Sequence, residues 1–181
     1  MTISVSHDMT AHRLTNEIQM IDGLGPSNRL NKHLKMARSP FVFYRGTAQC
    51  FYSDMKAGVI TYPKEFDKVP FTNIIGDCHT SNFGFLTEEG SHGDTVIFAP
   101  NDFDDACVGH AHWDLIRYLT SLNLVFDHCS GLAEARYIVD DAPTDKPVIR
   151  QTQVELAQQS FLSSYQTTCN VIIDSPCSIK Q

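Results

Sequence analysis

The chain has 181 residues, of which 42% are hydrophobic and 19% charged, and its formal net charge is −7. This length is typical of one domain, and the apolar content argues against a disordered chain. The acidic balance disfavours nucleic-acid or anionic-membrane partners, which need a basic surface. No apolar run approaches the about 20 residues of a membrane helix, and the N-terminal residues do not have the pattern of a signal peptide.

Six cysteines stand at positions 50, 78, 107, 129, 169 and 177 and form no C-x-x-C pair. We therefore expect reduced thiols in a cytoplasmic protein. The first 26 residues are polar and end in Gly23-Leu-Gly-Pro26. We expect residues 1–26 to form an N-terminal arm, either partly ordered or with a short helix over residues 10–21, and residues 27–181 to form the domain.

The pattern of apolar residues predicts mostly helix, with a few short strands. Ser39 and Pro40 are a typical helix start, because serine caps a helix N-terminus and proline fits its first turn. That helix should continue to Gly58. A strand is expected over 71–75, a hairpin over 83–99 and a loop over 106–109. Further helices are expected over 27–38, from about 110 to 126, over 131–140 and over 148–167.

The predicted helix after His110 has an apolar face at a spacing of 3.6 residues. Leu115, Ile116, Leu119 and Leu122 lie on this face. We expect these side chains to be buried, so Leu119→Ala should cost about 2–5 kcal/mol of stability.

Polar residues with a clear chemical use flank the predicted hairpin. Asp77 and Asn82 precede it, and Asp102 follows it. The two strands of a hairpin return the chain to its starting end, so these three side chains should meet. A carboxylate can orient or deprotonate a hydroxyl, and carboxylate and amide oxygens are the ligands that Mg²⁺ prefers. Phosphoryl transfer requires both parts.

Two further polar features have competing interpretations. Arg45 stands among aromatic residues and is expected to pair with an acidic residue of the Asp77 or Asp102 loop, or to contact a phosphate. The run His110-x-His112-x-Asp114 resembles the H-x-H-x-D-H run of dinuclear metal hydrolases, with a leucine where a second-metal histidine would stand. This run supplies the alternative function of a metal-dependent hydrolase.

Four ordered motifs resemble known families. They are S-P-F-x-F-x-R-G at 39–46, G-D-x-H-x-x-N-F-G at 76–84, N-D-F-D at 101–104 and W-D-L-x-R at 113–117. The second and third resemble the catalytic half of kinase-like phosphotransferases, such as the aminoglycoside and choline kinase groups. All four together resemble a bacterial family catalogued as domain of unknown function 2252.

The resemblance implies an α+β, mainly helical fold: a protein-kinase-like C-lobe with a small β-hairpin at the catalytic site. It implies Mg²⁺-dependent transfer of the γ-phosphate of ATP, or another nucleoside triphosphate, to a hydroxyl of an unknown acceptor. Asp77 would position the acceptor, Asn82 and Asp102 would hold Mg²⁺, and Asp104 is a second metal candidate. His79 would support the loop, and Asp114 would have a structural role and hold the loop that precedes it.

The sequence presents no convincing glycine-rich loop or strand lysine of the kind that holds the nucleotide in kinases. In the resembled family we expect these parts to follow the catalytic motifs, so the chain is expected to be truncated and to have weak or no turnover alone. Two alternatives follow: a partner chain supplies the nucleotide lobe, or the chain is a non-catalytic fragment or interaction module.

Overall fold

A computed structural model describes residues 7–87, 93–139 and 148–174, which form an α+β fold dominated by helix. The elements in chain order are α1 (His7–Asp22), α2 (Asn31–Met36), α3 (Pro40–Arg45), α4 (Ala48–Lys56), a 3₁₀ helix (Lys64–Lys68), β1 (Thr72–Ile74), β2 (Phe83–Thr87), β3 (Val96–Pro100), β4 (Cys107–Gly109), α5 (Ala111–Ala133) and α6 (Gln151–Asp174).

The strands form two small antiparallel sheets. β2 pairs with β3 from Phe83 opposite Pro100 to Thr87 opposite Val96, which confirms the predicted hairpin. The predicted first strand is β1, and it pairs with β4. The prediction of a loop over 106–109 is therefore wrong. A three-residue strand is too short to show the alternation of apolar and polar residues that predicts a strand. Residues 107–109 form a strand because they pair with β1, which is distant in the sequence.

The helix predicted from Ser39 to Gly58 is two helices. Ser39 caps α3 as expected, because its hydroxyl accepts a hydrogen bond from the Val42 N–H at 3.3 Å. The break lies at Gly46 and Thr47, where the Gly46 N–H bonds to the Phe43 carbonyl three residues back. The Thr47 hydroxyl donates to the same carbonyl at 2.8 Å, so this acceptor is no longer available to a continuing α-helix.

The helix predicted over 10–21 is α1, and it packs against α4. The Ser53 hydroxyl donates to Glu17 at 2.7 Å, and Arg13 pairs with Asp54. The helix predicted over 27–38 is limited to α2. The buried apolar residues come from α1 to α4, β1, the following loop and α6: Ile18, Met36, Phe41, Ala48, Cys50, Phe51, Ile74, Cys78 and Val154.

Helix α5 does not bury the face that its apolar periodicity indicates. Leu115, Ile116 and Leu119 are only half-buried. The positions with no exposed surface are polar, namely Arg117 and Ser121. The expectation of a buried leucine face is therefore wrong, because this face meets α6 over only part of its surface, whereas the polar face holds the loop before β2.

The region after α5 also differs from the prediction. The separate helix predicted over 131–140 does not form over its described residues; instead α5 continues through 131–133, ends at Ala133 and is followed by a turn. The N–H groups of Arg136 and Tyr137 both bond to the Gly131 carbonyl, and Ala135 has a φ of 56°. Residues 140–147 lie outside the described residues. The last predicted helix, over 148–167, is α6 and extends further, to Asp174.

Two expectations from composition can be checked directly. The five cysteines of the described residues are free thiols, and Cys177 lies outside them. Among the described helices, none combines the length and apolar character needed to cross a membrane.

Candidate functional site

The backbone just before Asp77 is held by Asp114 from the first turn of α5. The Asp114 carboxylate accepts the N–H groups of Ile75 at 2.7 Å and of Gly76 at 3.1 Å. Gly76 has a φ of 81°, and a Cβ there would lie 1.9 Å from the Asp105 carbonyl oxygen. Only glycine fits this position. Both carboxylate oxygens of Asp114 are used for these backbone contacts.

The Asp77 side chain is bound from the protein interior by Arg117. The Arg117 Nε donates to Asp77 Oδ1 at 2.8 Å, and its Nη2 bonds to the same oxygen. Arg117 has no exposed surface, and its guanidinium lies 4.2 Å from the centroid of the Tyr44 ring. Nη2 also donates to the Tyr44 carbonyl at 2.9 Å. The arginine is therefore fixed in place and fixes the Asp77 carboxylate in turn.

Arg117 is a site residue that the sequence analysis did not assign. It is the last residue of the W-D-L-x-R motif, so the signal was present. An arginine on a helix is usually exposed. The residues next to Arg117 in the sequence do not indicate that its side chain binds Asp77, 40 positions earlier. The motif match could have identified Arg117 as a site residue, whereas the hydrophobic periodicity of the helix could not.

The surroundings of Asp77 keep its carboxylate ionised. Burial alone would raise its pKa, but the hydrogen bond with His79 and the charge and hydrogen bonds of Arg117 outweigh burial and lower the pKa below its ordinary value. Such a carboxylate stays ionised and can accept a hydrogen bond, but it is a weak base. The site therefore suits Asp77 to orient a hydroxyl.

His79 and Asn82 shape the loop around Asp77. The Ser81 N–H donates to His79 Nδ1 at 3.2 Å, so the proton is on Nε2, which faces Asp77 Oδ2 at 3.4 Å. The Asn82 Nδ2 donates to the Asp77 carbonyl at 2.9 Å. This bond uses the amide NH₂ of Asn82 and leaves its side-chain oxygen available to a ligand.

The hairpin returns the chain to this loop. The Asn101 N–H donates to the Asn82 carbonyl at 3.1 Å, directly after β3. The next residue, Asp102, is exposed, and its Oδ1 accepts the Asp104 N–H at 3.3 Å. Asp102 lines the same cleft as Asp77 and Asn82, whereas Asp104 is not among the residues that line it. Between the two metal candidates, the geometry favours Asp102.

The cleft has a volume of about 590 Å³, which is in the usual range for small-molecule sites. Its polar residues come from four parts of the chain: α2, the end of α3, the Asp77 loop and the segment after β3. The lining residues are Lys32, Lys35, Met36, Val42, Arg45, Gly46, Asp77, His79, Asn82 and Asp102.

Arg45 does not make the carboxylate pair that was expected. Its guanidinium carbon lies 5.8 Å from the centroid of the Phe41 ring, and no carboxylate of the described residues pairs with it. Arg45 instead lines the cleft. Its other predicted role, contact with a phosphate, is compatible with this position.

The donors of this cleft fit Mg²⁺ only in part. The described residues contain no group of three histidine, cysteine or acidic side chains that could hold a metal ion. Asp102 and the Asn82 amide supply hard oxygens of the kind Mg²⁺ prefers. Mg²⁺ commonly takes one or two carboxylates and completes its shell with phosphate and water oxygens, so these residues fit a metal that arrives with a phosphate ligand.

The alternative hydrolase site at His110, His112 and Asp114 is wrong. The two rings are 5.1 Å apart between centroids, but the Asp114 carboxylate is bonded to backbone N–H groups. His110 Nδ1 bonds to the Val69 carbonyl, and His112 is enclosed by aromatic rings. These three side chains therefore do not form a metal site.

Comparison with known proteins identifies one family. No curated protein and no solved structure gives a significant match to the chain. The profile of a family described as "uncharacterized protein conserved in bacteria (DUF2252)" matches residues 26–139. This range contains α2 to α5 and every residue of the cleft. The chain therefore belongs to this family of uncharacterized bacterial proteins.

Proposed function

We propose that the cleft is the catalytic centre of a kinase-like phosphotransferase. In this proposal the γ-phosphate of a magnesium-bound nucleotide, such as ATP, is transferred to a hydroxyl of an acceptor. The observation that carries the proposal is that Asp77, Asn82 and Asp102, which lie on both sides of a hairpin in sequence, line one cleft. Phosphoryl transfer needs a hydroxyl-positioning carboxylate beside hard oxygen ligands, and this is the set present.

The state of Asp77 supports the positioning role. Its carboxylate is ionised and is held by Arg117 from within the protein. A hydroxyl that donates a hydrogen bond to such a carboxylate would be held in one orientation, and orientation supplies a large part of catalysis in this chemistry. His79 and Asn82 hold the same loop, so a substrate would meet a prepared site.

The metal would be held by Asp102 and the side-chain oxygen of Asn82. When bound, Mg²⁺ would supply charge stabilisation for the transferring phosphate. The protein's part is to present one carboxylate and one amide oxygen on the wall of the cleft. Asp104 is the weaker candidate because its side chain is not part of this wall.

We also propose that the fold is related to the C-lobe of protein kinases. The support is the combination of a mainly helical domain, a small hairpin beside the candidate loop, and an aspartate that binds the backbone of that loop from a helix. The acceptor is a hydroxyl compound whose class nothing in the cleft specifies. A nucleotide lobe would be contributed by residues outside the cleft or by a partner chain.

The test is a paired measurement of binding and turnover on the purified chain. We expect wild type to bind magnesium nucleotide in calorimetry and to hydrolyse ATP slowly, with water in place of the acceptor. Asp77→Asn should keep nucleotide binding and lose turnover by about 100-fold or more, as for a catalytic carboxylate. Asp102→Asn should lose the magnesium-dependent part of binding.

The matched control is Asp174→Asn, at the exposed end of α6. It carries the same change of charge and should behave as wild type. Wild type that binds no magnesium nucleotide, or Asp102→Asn that binds it normally, contradicts the proposal. In that case the alternative of a non-catalytic interaction module would remain.

A further inference from the structure

Among the described residues, the cleft is also lined by three cations to which the proposed function assigns no role. Lys32 and Lys35 lie on α2, and Arg45 is the last residue of α3. The two helices are in close contact here, because a Cβ on Gly46 would lie only 2.9 Å from the Met36 sulfur. This packing holds the cationic segments beside each other.

Within the described residues, two of these cations lack a charged partner. Lys32 is paired, since its Nζ lies 2.7 Å from Asp22 Oδ1. Lys35 and Arg45 are exposed, and neither forms an ion pair within the described part of the chain. In a chain whose formal net charge is −7, unpaired neighbouring cations in a cleft are a local departure from the overall charge.

The carboxylates of the cleft do not cancel this charge. Asp77 is neutralised from the interior by Arg117, which has no exposed surface. Asp102 is the other carboxylate among the described lining residues, and it is the proposed metal ligand. The charges that a ligand would meet are thus Lys35 and Arg45 against Asp102, an excess that attracts anions.

We propose that Lys35 and Arg45 hold the phosphate groups of a ligand in this cleft. Arginine presents a planar fork that matches phosphate oxygens, and lysine adds a point charge. The volume admits a ligand of several groups, so one phosphate can meet these cations while another part lies at Asp77. The inference rests on the proposed function, because it assigns the phosphate-holding part of the same site. The ligand is either the nucleotide or a phosphorylated acceptor.

The first experiment measures binding of inorganic tripolyphosphate by calorimetry, without magnesium. We expect saturable binding that weakens with salt, and a loss of about tenfold in affinity for Lys35→Gln and for Arg45→Gln, as for a charged hydrogen bond. Lys64→Gln is the matched control, because Lys64 is exposed on the 3₁₀ helix and does not line the cleft. Both test residues are exposed, and circular dichroism verifies the fold of each variant.

Competition identifies the source of the phosphate. Displacement of tripolyphosphate by ATP but not by adenosine supports a nucleotide, and displacement by glycerol 3-phosphate but not by ATP supports a phosphorylated acceptor. Absence of saturable binding to wild type, or unchanged affinity in both variants, overturns the inference. Displacement by adenosine as effective as that by ATP overturns it too.

Failure of this inference can be distinguished from failure of the proposed function. Binding of tripolyphosphate that depends on Lys35 and Arg45, in a protein that transfers no phosphate to any acceptor or to water, supports this inference and refutes the phosphotransferase. Transfer at the wild-type rate in both variants, together with unchanged affinity for tripolyphosphate, refutes this inference and leaves the phosphotransferase standing.

Discussion

The two faces of α5 differ in which side chains are buried. One face carries Asp114, Arg117 and Ser121, which bind the loop before β2 through the Ile75 and Gly76 N–H groups, the Asp77 carboxylate and the Thr80 N–H. Arg117 and Ser121 are fully buried. The other face carries leucine and isoleucine, and it is half-exposed in an apolar groove beside α6.

This difference shows which interactions fix the position of the candidate site residues. A buried polar group is costly unless it is hydrogen-bonded, so each of these side chains is stable in one arrangement only. Apolar contact on the other face is non-directional and tolerates small shifts. The polar face therefore defines the position of Asp77, while the apolar face mainly contributes stability. Four measurements test this difference between the two faces of α5.

The largest effect is expected from Arg117→Met. Methionine keeps much of the side-chain volume but leaves the Asp77 carboxylate without its interior cation, and losing one partner of a buried pair typically costs about 3–5 kcal/mol. Urea unfolding followed by far-UV circular dichroism measures it. Arg136→Met is the control, because Arg136 makes its ion pairs at the exposed surface and should change little. A loss for Arg117→Met under about 1 kcal/mol would mean that the polar face does not organise the loop.

Gly76→Ala should have the next largest effect. The added Cβ would meet the Asp105 carbonyl at 1.9 Å, and φ is 81°. Steric overlap and a left-handed backbone together should cost about 2–5 kcal/mol. Gly58→Ala separates the two causes, because Gly58 has a φ of 70° but nothing within 4 Å of the added atom. Equal losses in the two variants would show that the close approach of the Asp105 carbonyl is not important.

Leu119→Ala tests the apolar face. Because Leu119 is only half-buried, we now expect a loss of about 1–2 kcal/mol, less than its periodicity indicated. The fully buried Ile74→Ala is the comparison and should cost about 2–5 kcal/mol. If Leu119→Ala costs as much as Ile74→Ala, the apolar face is buried in solution and the contrast between the faces of α5 is lost.

The smallest effect is expected for Asp77→Asn, in the free energy of unfolding at acidic pH. The pKa of Asp77 is below its ordinary value in the folded chain, so its stabilising contribution is present above about pH 4 and is lost as the pH falls through the folded-state pKa. Burial raises the pKa of Asp114, despite its backbone hydrogen bonds, so its contribution has the opposite sign. The free energy of unfolding from pH 7 to pH 3 should therefore fall less steeply in Asp77→Asn than in wild type. Identical slopes would show that the Asp77 charge is not stabilised by folding.

Several local elements, and the position of the candidate site beside a hairpin, could be predicted from the sequence alone. Ser39 and Pro40 predicted a helix start, Gly58 a helix end, and two apolar runs around a polar linker the β2–β3 hairpin. These features depend on residues close in the chain, where backbone sterics and capping act. The hairpin is also why the co-location of Asp77, Asn82 and Asp102 in one cleft could be predicted.

Only the tertiary structure decided which face of α5 is buried, that residues 107–109 form a strand, and that Arg117 holds Asp77. Each depends on a partner far away in the chain: β1 for β4, and the Asp77 loop for Arg117. Hydrophobic periodicity reports which face of a helix is apolar, but not what packs against it. Where a polar loop packs against the helix, hydrogen bonds and ion pairs determine which face is buried, because a buried charge is costly unless it is paired.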